Sequence, residues 1–362
     1  MINLPSTDPA PTATMSPDSA VLPAENRRDP PGRNIVTPAS NLPPLLLYGM
    51  LFAVVSIVAY LLGVFLIFPR YLLGLDRLLR PLAEWLVWYS GIPLMASCAL
   101  ACADLFILLP YKRANAGVPM EPLQSRAVTV ALTAYNDELS IAAAVADFRA
   151  HPDVRRVIVV SNNSADATFA RAEAAGAIVF DEKAPGYGQC VYRCLTEATK
   201  HGDTDLIVLC EGDMTFRAMD IDKLLAYASH ADIVNGTRTV ESLCQRTTQL
   251  TTFMYYGNLF VGKLLEARHL GRGTMTDVGT TYKLCKKHVL LDLLPKLNPE
   301  INLEFNAYFL DTALGAGYQI VECPITFHPR VGVSKGGNTG NLRSLVVGLR
   351  MIRGIVLGWK SR

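Results

Sequence analysis

Zinc-type and redox-type cysteine patterns are missing from this sequence. Its eight cysteines include no C-x-x-C pair, and no histidine stands at zinc-like spacing from one. This excludes a zinc ribbon and a dithiol centre and leaves free thiols suited to a reducing cytoplasm. An excess of charge of one sign is missing too. Lys+Arg of 34 against Asp+Glu of 32 leaves +2, too even for a nucleic-acid footprint spread over the surface, so no nucleic-acid partner is expected. Residues 1–44 contain no aromatic residue but ten of the 22 prolines, and such a stretch cannot bury enough apolar surface to order itself. Between Leu45 and Phe68 there is no charged residue at all.

That uncharged run, at 1.5 Å per residue, spans roughly 30 Å of hydrocarbon and predicts a transmembrane helix over 45–68. A second span is expected over 85–109, where Trp85, Trp88 and Tyr89 form an interfacial belt and Asp104 interrupts the apolar sequence. The first run begins too far into the chain for a cleaved signal peptide. A mean hydropathy of +0.24 agrees with a membrane hairpin over 45–110. Two spans return the chain to the side on which it began. Arg27, Arg28, Arg33, Lys112 and Arg113 flank the hairpin against Arg70, Arg77 and Arg80 within it, which by a narrow margin makes that side the cytoplasm.

After a linker over 111–125, apolar strands alternate with helices: strands at 127–132, 154–160, 177–180, 206–210, 232–235 and 318–322, helices at 140–149, 168–175 and 221–229. The alternation predicts an α/β domain over 126–335 with a mostly parallel sheet flanked by helices. The segment 336–362 ends the chain as a basic amphipathic helix, with Leu342, Leu345, Val346, Leu349, Ile352 and Val356 on one stripe and Arg343, Arg350, Arg353 and Lys360 on another. Such a helix suits a lipid headgroup interface, and equally a face packed on the domain.

Ligands of parallel sheets bind beyond the carboxyl ends of strands. The loops there are polar: Ala134-Tyr135-Asn136-Asp137-Glu138 after the first strand, and Asn162 to Thr168, with Ser164 and Asp166, after the second. Glu211-Gly212-Asp213 follows the fourth, placing two carboxylates at the sheet edge beside a glycine that would let a ligand approach the backbone. A Mg2+ or Mn2+ held by one or two carboxylates neutralises a leaving diphosphate.

These residues resemble the family 2 glycosyltransferases of the GT-A fold, and within them the dolichyl-phosphate mannose synthase-like branch of polyprenyl-phosphate glycosyltransferases. The resemblance covers about 126–345. Tyr135-Asn136-Asp137-Glu138 is similar to the family's opening Ala-Tyr-Asn-Glu-Glu element, Ser164-x-Asp166-x-Thr168 to its second element, and Glu211-Gly212-Asp213 to its Asp-x-Asp metal motif. Asn235-Gly236-Thr237-Arg238, Asp277 to Tyr282, Val321 to Ile325 and Arg330-x-Gly332-x-Ser334-Lys335 follow in the family's order.

The resemblance implies an inverting transfer of a hexosyl group from a nucleotide diphosphate sugar to a polyprenyl phosphate at the cytoplasmic membrane face, the work of a cell-envelope enzyme. Its implied donor contacts are Ala134, Tyr135, Asn136, Glu138, Asn162, Ser164, Asp166, Lys183, Glu211 and Gly212. Asp213 is the expected metal ligand, with Glu211 a second or indirect one. Arg238, Arg330 and Lys335 are expected to grip phosphate oxygens, and Arg238, Arg246 and Ser334 to meet the lipid phosphate. UDP and GDP donors both stay open, since Ser161 and Asn162 stand where the family often has acids. A phosphate acceptor is already anionic and needs no general base. A polysaccharide or glycolipid synthase acting on a hydroxyl would need one, for which Glu304 is the candidate, a residue that could equally be a donor-sugar contact or a helix-start carboxylate. The Gln-x-x-Arg-Trp motif and later channel helices usual in processive synthases are absent.

Overall fold

The computed structural model describes residues 42–113, 120–245, 248, 250–332 and 340–359. All but the last three residues of the proline-rich tail lie outside these. Seven strands form one sheet: β1 (Val128–Ala134), β2 (Val154–Asn162), β3 (Ile178–Glu182), β4 (Leu206–Glu211), β5 (Ile233–Thr237), β6 (Lys283–Lys286) and β7 (Ile320–Pro324), in the order β3-β2-β1-β4-β6-β5-β7. β3, β2, β1 and β4 are mutually parallel and β5 pairs parallel with β7. β6 runs antiparallel between β4 and β5. It is the strand that the sequence reading omits. A lysine at each end disguises it, yet Lys283 and Lys286 are both buried.

Helices cover both faces. Alternate side chains divide the sheet: Ala131, Ile158, Val160, Ile207 and Leu209 join one apolar core, while Val130, Leu132, Val157, Val159 and Val208 join the other. Strands buried on both faces read as continuous apolar runs, which is why β1, β2 and β4 are legible. The hairpin is α1 (Leu45–Phe65), α2 (Asp76–Tyr89) and α3 (Gly91–Cys102). The sheet helices are α4 (Ile141–Arg149), α5 (Thr168–Ala174), α6 (Tyr187–Thr199), α7 (Ile221–Ala228), α8 (Thr252–Arg268), α9 (Lys287–Leu293), α10 (Phe305–Gly315) and α11 (Asn341–Leu357). The last is shorter than the expected 336–362. Its second half, through Met351 and Ile355, is packed into the core.

Leu45–Leu72 and Asp76–Lys112 are long and apolar enough to cross a membrane, and only 11% of each apolar window is buried. The second helical stretch starts nine residues before the expected 85, because Asp76 to Glu84 forms an amphipathic first segment whose charges hide it from a hydropathy reading. The two arms meet on a seam of small residues. Gly49, Ser56 and Gly63 are the buried positions of α1 besides Leu47, and Ala83, Ser90, Ser97 and Asp104 those of the returning arm, each set spaced by seven. A strict seven-residue period keeps one stripe in contact along a left-handed pair, and small side chains let backbones approach. The Ser56 hydroxyl donates to the Ser90 carbonyl at 2.6 Å.

Asp104, fully buried, closes the open end of the hairpin. Its carboxylate accepts from the Leu46 backbone N–H at 2.7 Å and pairs with Lys112 at 2.6 Å. A carboxylate is favoured at the first turn of α1, where backbone donors are otherwise orphaned. A Cβ on Gly63 would stand 2.8 Å from Val87 Cγ2 and 3.1 Å from the Ala83 carbonyl oxygen. Gly63→Leu should therefore splay the arms and lower stability by about 1–3 kcal/mol, as overpacking does, measured by denaturant titration in detergent. Val58→Leu, on the exposed face, should be neutral in the same assay.

Candidate active site

The sheet's strand order reverses about β1, and the loops leaving β1, β2 and β4 open on one side of that point, where open α/β sheets place their ligands. Register sets the edge: Thr133 of β1 lies opposite Glu211 of β4, and Ala134 opposite Ser161 of β2. The Gly212 N–H donates to the Thr133 carbonyl at 2.9 Å, so the β4 turn is stitched to β1.

Asp213 is buried at the base of the opening. Its Oδ1 accepts from the Thr215 N–H at 3.0 Å and hydroxyl at 2.5 Å, and its Oδ2 lies 3.1 Å from Arg330 Nη1. The other arm of Arg330 reaches Asp137 Oδ1 at 2.6 Å. One guanidinium thus joins the loop after β1 to the loop after β4 by charge-assisted bonds. Burial raises the Asp137 carboxyl pKa above its ordinary value against the pull of Arg330. Glu211 is half-buried and accepts from the Thr281 hydroxyl at 2.7 Å. Thr281 in turn lies 2.5 Å from the Tyr187 hydroxyl, which accepts from Asn306 Nδ2 at 3.0 Å. Burial, then the charge of Glu211, holds the Tyr187 hydroxyl well above its usual pKa, so it stays neutral.

A second arginine–carboxylate pair stands beside the first. Arg238 meets Asp277 through two side-chain bonds of 2.7 and 2.8 Å, and its backbone N–H donates to the same carboxylate at 3.0 Å. Burial would raise the Asp277 pKa, but Arg238 holds it below the usual carboxylate value. Asn258 of α8 also donates to Asp277. Glu322 on β7 shapes the turn beneath, accepting from the N–H groups of Thr276 at 2.8 Å and Asp277 at 3.0 Å.

Glu211, Asp213, Arg238 and Arg330 line one cavity of about 980 Å³, together with Ala134, Tyr135 and Asn162. Other expected residues lie elsewhere. Asn136, Glu138, Ser164 and Asp166 knit the β1 and β2 loops together: the Asn136 N–H donates to Ser164, the Ala165 N–H to Asn136, the Glu138 N–H to Asp166 and the Ala167 N–H to Glu138. Three of them border a separate hollow of about 180 Å³. Asn162 borders the main cavity but spends its amide on the next loop, donating to the Glu182 and Ala184 carbonyls and accepting from the Gly186 N–H. Lys183 is exposed and paired with Asp181.

Gly212 serves close packing rather than ligand approach, since a Cβ there would stand 2.5 Å from Ile141 of α4. Glu304 stands at the N-cap position of α10 without a side-chain capping bond and does not line the cavity; its Oε2 is buried with no hydrogen-bond partner among the described residues. Arg246, Ser334 and Lys335 lie outside the described residues. The sequence reading missed Tyr187, Asn258 and Asn306. Tyr187 and Asn306 lie close in sequence to Lys183 and Glu304, but nothing local marks the residues they reach.

Two carboxylates, Glu211 and Asp213, are the protein groups that could hold a cation here. No group of three His, Cys, Asp or Glu suited to a metal occurs among the described residues. The pair fits Mg2+ or Mn2+, which take one or two carboxylates and fill their shell with phosphate oxygens and water. Burial, and behind it the charge of Asp213, push the Glu211 carboxyl up from 4.5 to about 7. An acid raised in the fold keeps a proton that the unfolded chain has lost, so the metal-free protein should lose stability as pH rises from 4.5 to about 7. A bound cation needs the ionised form, so Mn2+ affinity should rise through the same window with proton release. Thermal midpoints and calorimetry between about pH 5 and pH 8 check both, and Glu211→Gln should flatten each profile.

The description Glycosyl transferase family 2 matches residues 129–294. The uncharacterized glycosyltransferase Rv0539 of Mycobacterium tuberculosis (strain ATCC 25618 / H37Rv) is 31% identical over 226 residues, 62% of this chain and 94% of that protein. The dolichyl-phosphate hexose transferase of Haloferax volcanii is 26% identical over 209 residues, 58% of this chain and 86% of that protein. Among solved structures, glucosyl-3-phosphoglycerate synthase from Mycobacterium tuberculosis, in complex with Mn2+, UDP-glucose and glycerol 3-phosphate, aligns with a TM-score of 0.45 and 17% identity, covering 65% of this chain and 82% of that one.

Proposed function

The chain belongs to glycosyltransferase family 2, and from that premise we propose that it moves a hexosyl group from a nucleotide diphosphate sugar to a polyprenyl phosphate at the cytoplasmic face of the cell membrane. One observation carries the lipid half of this reading. The cavity that begins at Glu211 and Asp213 does not end in a sugar-sized cup; it continues between α8 and α11 along Phe253, Tyr256, Phe260, Leu345 and Leu349. Those five side chains are more than 40% exposed, an apolar trough open at its edge, suited to an isoprenoid tail and unsuited to a growing polysaccharide.

The trough adjoins the hairpin. Leu47 of α1 is buried in the same core as Val261 and Leu264 of α8, so a lipid leaving the bilayer beside α1 meets α8 first. Arg343, in the first turn of α11, lines the same cavity. The dolichyl-phosphate substrate in the name of the Haloferax volcanii relative points the same way.

In this reading the nucleotide lies over the β1 and β2 loops against Tyr135, and its diphosphate over Glu211 and Asp213. A divalent cation supplies neutralisation of the charge that builds on the departing diphosphate. Arg330, bridging Asp137 and Asp213, and Arg238, fixed by Asp277, both line the cavity and would set two positive charges beside the phosphates. Both act without reorganising, because their carboxylate partners hold them in place. The acceptor phosphate is itself the nucleophile, and no base is required. Glu304, the base a hydroxyl acceptor would need, stands off the cavity lining. Arg246 and Ser334 complete the acceptor-side set with Arg238 in this proposal, and Lys335 joins Arg238 and Arg330 in gripping phosphate oxygens.

The test is incubation of the full chain with radiolabelled UDP- and GDP-hexoses and undecaprenyl phosphate, followed by solvent extraction. One sugar should enter the organic phase, chelation should stop it, and Asp213→Asn should slow it roughly 100-fold or more. Label appearing only on a hydroxyl acceptor would overturn the proposal.

A further inference from the structure

The helix α10 is apolar along nearly its whole length, FNAYFLDTALG, yet Asp311 sits in it only 5% exposed. The active-site chemistry does not use this carboxylate. Three side chains from the ends of two other helices converge on it. His269 Nε2, just past the end of α8, lies 2.6 Å from Oδ1, and Arg268 Nε, the last residue of α8, lies 3.3 Å from the same oxygen. The Trp359 indole N–H, just past the end of α11, donates to Oδ2 at 2.5 Å. Arg268 also donates to the Ile355 carbonyl near the end of α11. The Trp359 ring packs on Tyr308, 5.4 Å between centroids, and folds over Gly354, where a Cβ would lie 2.3 Å from it. A buried carboxylate is tolerated only with such partners.

The consequence lies at the other end of the same helices. α8 and α11 are the two walls of the apolar trough, and both are joined through Asp311 at their carboxyl ends. Met351, Gly354 and Ile355, next to the joint, are buried, whereas Leu342, Leu345 and Leu349, towards the start of α11, are exposed. α11 is thus held firmly at one end and stands over the cavity with the other. Its alignment with α8 is set where the helices are joined.

We infer that Asp311 is a positioning residue for the lipid acceptor: by gripping the ends of α8 and α11 it fixes the width of the trough that receives the polyprenyl chain. The inference rests on the acceptor proposed above. It separates two requirements that a general loss of folding would mix, since the donor floor at β1 and β4 is built from other residues.

Trp359→Phe keeps the ring and removes only the indole N–H; Asp311→Asn keeps the volume and removes the charge. In the full chain, both should raise the KM for a long-chain polyprenyl phosphate about tenfold while donor KM and kcat stay within about twofold. A short-chain prenyl phosphate, which reaches less of the trough, should show a smaller rise. Hydrogen exchange should accelerate over residues 341–357 and stay unchanged over β1 and β4. Unchanged exchange in 341–357 for Trp359→Phe, or donor and acceptor KM rising together, would overturn the inference. If the wild-type chain transfers no sugar to any lipid phosphate, the acceptor reading falls, and the exchange measurement still decides whether the clamp exists.

Discussion

The site hangs on one guanidinium. Arg330 spans Asp137 and Asp213, carboxylates from two loops that would otherwise repel each other across the mouth of the sheet. Remove that positive charge and the two carboxylates lose the counter-charge they share, leaving the Gly212–Thr133 backbone bond to hold the loops after β1 and β4 together. Arg330 itself arrives from beyond β7, at the far edge of the sheet. The chain must complete its fold before the floor exists, and donor-site geometry is therefore a tertiary property even though each loop is a local motif.

The same logic is repeated one step away. Glu322 holds the turn at 276–277, that turn presents Asp277, and Asp277 holds Arg238. Tyr187, Thr281 and Asn306 do for Glu211 what that chain does for Arg238. Each charged group at the cavity floor is thus oriented by a partner that the fold fixes in its turn, as preorganised sites require. Burial keeps these supports short and well aligned, and it also explains why Glu211 is hard to ionise without a cation.

Much of this architecture was legible from residue patterns, and the reasons for the exceptions are specific. Strands buried on both faces announce themselves as runs such as VTVAL and LIVLC. β6 does not, because its lysines are buried under the 277–281 turn and against Glu121, a solution that only the assembled sheet provides. The loop elements Tyr135 to Glu138, Ser164 to Thr168 and Glu211 to Asp213 do gather at one sheet edge. What pattern could not tell was direction: a polar loop residue may face a ligand or a neighbouring loop with the same composition, and Asn136, Glu138, Ser164 and Asp166 face one another. Gly212 shows the same ambiguity, since closeness to a helix and closeness to a ligand both demand hydrogen in place of a side chain.

The seam of the hairpin has a mechanical meaning. Two helices in contact through glycine, alanine and serine at every seventh position, tied at the open end by the bond from the Leu46 N–H to Asp104, make a strut instead of a tether. Under the membrane reading, the level at which the hairpin meets α8, through Leu47, is then written in helical register. Under the proposed acceptor, the phosphate would have to rise to that level, and only amphiphiles whose headgroup reaches it would present an anion to the donor.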